Sequence, residues 1–320
     1  MFKFGNVIVA IFSISAVFLG APKVSAQEHQ DRMIRLSFSD GRADVSGLEA
    51  VNAHLLKVGV RVFDVPIPDE ARPITSISQT RALNEAEQKK LLSIFSLDRQ
   101  NLLEVAKAAG RAPAVKGGGA LSISEANVPP YPKVYDLKAL DEKTLAFLKK
   151  KFGKLHVNSA DSGEGIDEVM TIVSGGPFTW FFVLEDGAVA KVRFSPVGKD
   201  NPAWRISYPG LVPHGAYLDA ADGLVVAHAY GPKTFVMRYE DRSVQNAARL
   251  NDNPWIEFSA NPPKLLERPR NIGTARQTSS QIVPVGEGHP GDSAVDSHRV
   301  LADRRQTLAW NLPQLICPQF

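Results

Sequence analysis

From about residue 155 to residue 258, apolar side chains recur at every second position. Ala188, Ala190, Val192 and Phe194 alternate with Val189, Lys191, Arg193 and Ser195, and Trp204, Ile206 and Tyr208 alternate with Arg205 and Ser207. A period of two places one row on each face of an extended chain, which a helix cannot do. Segments 169–173, 178–184, 188–194, 204–208, 215–219, 224–230 and 234–239 therefore read as strands. Asp186-Gly187 and Asp222-Gly223 are hairpin-turn pairs between them. One apolar face and one wet face suit antiparallel pairing. About seven short strands at this spacing predict a β-sandwich or partly closed barrel over residues 154–260.

Residues 27–153 read as mainly helical. Leu48, Val51, Leu55 and Val58 share a helical face ahead of Gly59. Asn84-Glu85-Ala86-Glu87 has the form of a capping box before Leu91, Leu92 and Phe95. A third helix is expected from Ser96 to Gly110 and a fourth from Asp141 to Gly153. Lys149-Lys150-Lys151 falls in the last turn of the fourth, where cations complement the helix dipole. Lys116-Gly117-Gly118-Gly119 is a flexible loop without the GxxxxGK[ST] spacing of a phosphate cradle and suits a linker or active-site lid, and Pro129-Pro130-Tyr131-Pro132 is a stiff extended segment. Residues 261–320 carry few large apolar side chains and read as a solvated, disordered tail. The expected fold class is α+β: a helical N-terminal half with a C-terminal antiparallel β-sandwich or partly closed barrel.

The start of the chain carries an address. Lys3 precedes an almost wholly apolar run over residues 7–21, and Val24-Ser25-Ala26 resembles a signal-peptidase site. An apolar core of roughly 15 residues is short for a membrane span of about 20. Residues 1–26 thus read as a signal peptide, the location as periplasmic or secreted, and the mature chain as free of integral spans. Cleavage leaves about 290 residues and a net charge of about +1. That balance argues against nucleic acid as a partner. The single cysteine, Cys317, excludes an intramolecular disulfide, thiolate metal clusters and CxxC chemistry.

HExxH, GxSxG and a strand-borne GxGxxG are all missing from the sequence. The strand-rich half nevertheless holds three histidines, His156, His214 and His228, and imidazole is both a common metal ligand and an acid–base group near neutral pH. A three-residue hairpin loop at 221–223 would put His214 and His228 diagonally on one sheet face, with His156 as a third ligand. The acidic run from Asp161 to Glu168 lacks EF-hand spacing. Glu168 opens a strand and is the candidate general base. Trp180, Trp204, Tyr217 and Tyr230 have apolar bodies and polar tips, which suits a small-ligand pocket.

Without a firm catalytic constellation, the leading expectation is an exported soluble binding or accessory protein with a small-ligand pocket in its β domain. The partner would be a small molecule or an envelope protein. The alternatives are a metal-dependent enzyme of jelly-roll (cupin-like) type holding a divalent transition metal, and an envelope interaction module. Export generates a direct prediction. N-terminal sequencing of protein recovered from the envelope or medium should begin at Gln27, and an intact Met1 in the membrane fraction would contradict it.

Overall fold

The computed structural model describes residues 34–111, 125–198 and 201–270. The signal segment 1–26, the glycine loop at 116–119 and residues 271–320 lie outside the described residues. In chain order the first elements are β1 (Ile34–Phe38), β2 (Val45–Ser46), α1 (Leu48–Leu55), β3 (Arg61–Val65), α2 (Arg72–Ser78), α3 (Glu85–Ile94) and α4 (Arg99–Ala108). Then come β4 (Glu125–Ala126), β5 (Lys133–Asp136), α5 (Glu142–Gly153), β6 (Val157–Ser159), β7 (Asp167–Gly175), β8 (Phe178–Val183) and β9 (Val189–Phe194). The last are β10 (Ala203–Tyr208), β11 (His214–Tyr217), β12 (Gly223–Gly231), β13 (Val236–Arg238), β14 (Ile256–Glu257) and β15 (Lys264–Leu265).

Two antiparallel sheets face each other. Sheet A has the order β11-β8-β9-β1-β2, and sheet B the order β3-β10-β7-β12, with β4 and β5 both pairing the outer edge of β12. The expected Asp186-Gly187 hairpin joins β8 to β9, with Gly187 at φ 79 and Val183 opposite Val189. Trp180, Phe182, Val192 and Phe194 of sheet A pack in one core with Met170, Ile172, Trp204 and Ile206 of sheet B. Ring contacts bridge the sheets at Phe194–Trp204 (5.9 Å) and Phe182–Tyr208 (5.4 Å). Each large aromatic buried here contributes roughly 1.5–3 kcal/mol, so the interior between the sheets dominates stability.

The outer faces are also covered. Leu155, Phe181, Val183, Val189, Tyr217, Trp255 and Ile256 form a second cluster on sheet A. Leu97, Leu102, Ala106, Val169 and Tyr230 form a third on sheet B under α4. The described fold runs on to Arg270, past the expected boundary at 260: β15 pairs β14, and Arg270 hydrogen-bonds Asp252 and the Asn253 carbonyl.

The helical N-terminal half is corrected. Residues 27–153 do contain helices, and the capping box at Asn84 and Glu87 forms at the start of α3. But the same region supplies strands to both sheets: β1 pairs β9 along five residues, and β3 closes the free edge of β10. An uncovered strand edge leaves backbone donors and acceptors unpaired, so the sandwich recruits these strands rather than standing beside a helical domain. The alternation Ile34-Arg35-Leu36 makes β1 suited to this, with Arg35 exposed and its neighbours buried. Helices then cover the sheets.

A second correction concerns the expected β11–β12 hairpin. β11 pairs β8 in sheet A, and β12 pairs β7 in sheet B. The chain crosses between sheets at residues 218–222, so Asp222-Gly223 does not close a two-stranded turn. Gly223 instead lets β12 meet the end of β7. A Cβ on Gly175, which has φ +70, would lie 2.5 Å from the Gly223 Cα, so only glycine fits this approach.

Candidate functional site

Glu168 is the second residue of β7 and points between the sheets. Its cross-strand neighbours are Tyr208 on β10 and Ala229 on β12. The carboxylate is 3% exposed. Oε1 accepts from the Tyr131 hydroxyl at 2.5 Å, and Oε2 accepts from the Asn158 side-chain amide at 2.5 Å. His214 on β11 brings Nε2 to 3.5 Å from the same Oε2. Among the described residues no lysine or arginine pairs with Glu168.

The hydrogen bonds fix the imidazole tautomer. His214 Nδ1 lies 2.7 Å from the Val212 carbonyl, which can only accept, so Nδ1 carries the proton. In the neutral ring Nε2 is then an acceptor, and the Asn158 amide donates to it at 3.1 Å. Both N–H groups of Asn158 are thus spent on two acceptors, Glu168 and His214. Asn158 Oδ1 remains buried without a partner. This orphan is the cost of the arrangement, because a buried acceptor left unpaired loses about 1–3 kcal/mol of solvation.

Aromatic and imidazole rings enclose the group. His214 packs against Tyr208 at 4.7 Å and His156 at 4.6 Å between ring centroids. His156 and His214 also exchange backbone hydrogen bonds at 2.9 Å. Tyr131 enters from the proline-rich segment, with its ring against Phe235. Burial and the negative charge of Glu168 hold the Tyr131 and Tyr208 hydroxyls well above the ordinary tyrosine range, so both remain donors. The same two causes push Tyr135 up to about 12. Burial, reinforced by His214, drops His156 well below the ordinary histidine range.

The structure brings Glu168, His156 and His214 together and sets His228 apart. His228 pairs with Val169, so it lies on the opposite face of sheet B from Glu168. Its Nε2 accepts from the Leu97 N–H at 3.3 Å. Among the described residues no three His, Cys, Asp or Glu side chains converge on a metal position. The four aromatic candidates also diverge. Trp180 and Trp204 point into the core between the sheets. Tyr217 lies on the outer face of sheet A, donating to the Pro263 carbonyl at 2.6 Å. Tyr230 lies on the outer face of sheet B, where it donates to Asp167 at 2.7 Å. They cannot line one pocket.

The acidic run does not wrap a centre either. It makes a turn in which Gly163, at φ 87, donates to the Ala160 carbonyl, while Asp167 faces outward to Arg111 at 3.0 Å. The sequence singled out neither Asn158 nor a hydrogen-bonding role for Tyr131, which it placed in the stiff proline segment, and it offered Tyr208 only as one of the sheet aromatics. The available signal was the period of two that puts Asn158 on the same side as His156.

No family model matches the chain, and no curated protein matches it in sequence. Among solved structures it is similar to acireductone dioxygenase from Bacillus anthracis, with a cadmium ion in its active centre, at 18% identity and a TM-score of 0.44, covering 65% of this chain and 98% of that one. At that identity and score the activity has to be argued from the residues. Among the described residues the fold is β-rich α+β, and no helix is long and apolar enough to cross a membrane.

The buried histidines generate a pH prediction. His228 is held down to about 4 by burial and the Arg205 charge, and His156 lies well below its ordinary value. An unfolded histidine titrates near 6.5, so the unfolded chain takes up these protons first. The stabilisation from keeping both rings neutral is complete above about pH 6.5 and is lost as pH falls toward 4. Each ring adds a slope of up to ~1.4 kcal/mol per pH unit in that window. Denaturant melts should show stability falling from pH 7 to 4.5, with a shallower fall in His228→Gln. A flat profile would contradict the burial of neutral rings.

Proposed function

We propose that this chain is an exported binding protein whose β-sandwich takes the cationic end of a small ligand at Glu168, Asn158 and His214. The observation that carries this reading is the Asn158 amide. Its two N–H groups sit between a buried carboxylate and an imidazole lone pair, where a cation would bind, while Asn158 Oδ1 has no partner. Turning that amide over would place three acceptors, from Glu168, Asn158 and His214, around one point. A buried carboxylate without a basic partner is costly, and an incoming ammonium group would offset that cost. Tyr208, Tyr131 and Phe182 supply ring faces around the position, which suits a cation with an apolar stem. Tyr131 covers one carboxylate oxygen, so entry requires the proline-rich segment to move aside. The signal-like residues 1–26 support export.

A second reading, the metal-dependent enzyme, has one observation in its favour: His214 Nε2 and Glu168 Oε2 face each other at 3.5 Å. The donor set does not fit a catalytic transition-metal centre with three His or carboxylate ligands, because His228 is on the other sheet face and, among the described residues, no three such side chains converge on one position.

Purified protein without a histidine tag separates the two. On the binding reading, primary ammonium compounds such as ethanolamine or putrescine raise the melting temperature saturably, and Glu168→Gln abolishes the shift while keeping the fold. Plasma mass spectrometry showing stoichiometric manganese, iron or zinc, lost in Glu168→Gln, would install the metal reading. No shift with amines and no metal would overturn both.

A further inference from the structure

The outer face of sheet B holds a second polar group that none of the above uses. Thr171 follows Glu168 by three positions on β7 and faces the other way, as does its cross-strand neighbour Arg205 on β10. Arg205 Nε donates to the Thr171 hydroxyl at 3.1 Å. That is a neutral partner. Burial lowers the pKa of the guanidinium, and no carboxylate among the described residues forms an ion pair with it. His228, opposite Val169 on β12, lies on the same face across β7, and the Arg205 charge disfavours a second cation on its ring.

His228 is 1% exposed. Its Nε2 accepts from the Leu97 backbone N–H, so in the neutral ring the proton sits on Nδ1. That Nδ1 is buried and has no partner. A buried donor without an acceptor therefore lies on the same face of sheet B as a half-buried cation that pairs with no carboxylate among the described residues. Each is unfavourable alone, and a single negatively charged acceptor would satisfy both. Arg205 is half-buried, which connects the position to solvent.

We propose that Arg205, His228 and Thr171 form a binding site for a small oxyanion, a carboxylate or phosphate group, on the outer face of sheet B beneath the turn leading into α4. A guanidinium is a planar fork whose terminal nitrogens match two oxygens of one such group. The imidazole Nδ1–H supplies a further donor. The site is separate from the Glu168 group, because β7 presents Glu168 to one side and Thr171 to the other.

The test is a titration of the full chain with inorganic phosphate and, separately, acetate, at constant ionic strength. The readouts are calorimetry and the imidazole nitrogen resonances of His228. Saturable binding with one anion per chain, and a shift of the His228 Nδ1 resonance, are expected. Arg205→Gln should weaken binding at least tenfold, and Arg205→Lys should restore part of it, since charge is kept and the fork lost. The difference between the phosphate and acetate arms tells which oxyanion the site prefers. No saturable change at His228 with either anion would overturn the site, as would an unchanged affinity in Arg205→Gln. Chloride acting equally well would overturn its assignment to oxyanions. If Arg205→Gln does not fold, the wild-type titration decides alone: a shift at His228 supports the site and its absence refutes it.

Discussion

The register of β7 is the constraint on which both polar groups depend. This strand runs between β10 and β12 and is buried along almost its whole length. Its alternation sends Glu168, Met170 and Ile172 into the space between the sheets and Asp167, Val169 and Thr171 outward. A slip of one residue would exchange the two sets, turning Asp167 and Thr171 into the space between the sheets and the Glu168 row to the outer face. The apolar members hold the register, since Met170 and Ile172 are anchored in the core. The polar members are carried where the apolar ones require.

Given that register, the inner group follows from hydrogen-bond accounting. A carboxylate held at 3% exposure needs donors, and the fold supplies them from two separate segments: Tyr131 and Asn158. The residue that joins the elements is Asn158. It is the one side chain with donors to share between Glu168 on sheet B and His214 on sheet A, so it ties the two sheets at one end of the sandwich. The backbone bridge between His156 and His214 holds the same corner. Each link is worth about 1 kcal/mol net, and more where the carboxylate takes part. The combination fixes the imidazole by both ring nitrogens.

Much of the β half was legible because a period of two is a local property. The hairpin at Asp186-Gly187 could be read from five residues. Pairing between distant segments could not. Nothing in residues 214–228 says that β11 crosses to sheet A, because that is decided by which edge is free when the sheets assemble. The strands β1 and β3 were obscured for a related reason: each is only five residues long, and β3 follows closely on the Gly59 stop signal of α1. In the site, charged and imidazole side chains drew attention through their chemistry. Asn158 and Tyr131 have neutral side chains, and their importance appears only when they meet Glu168. His228 shows the converse. Its chemistry was visible, but its face was set by pairing with Val169.

The central claim is that the Asn158 amide donates to both Glu168 and His214, which requires His214 to carry its proton on Nδ1. Imidazole nitrogen NMR of the ligand-free protein at about pH 7.5 tests this most directly, because the two ring nitrogens give separate, tautomer-dependent shifts. The account predicts a protonated Nδ1 and an unprotonated, hydrogen-bonded Nε2 for His214, with Asn158→Ala moving the Nε2 resonance. A proton on Nε2, alone or together with one on Nδ1, would contradict it, since Asn158 could then donate to Glu168 but not to His214 and the ring would no longer offer an acceptor at this position.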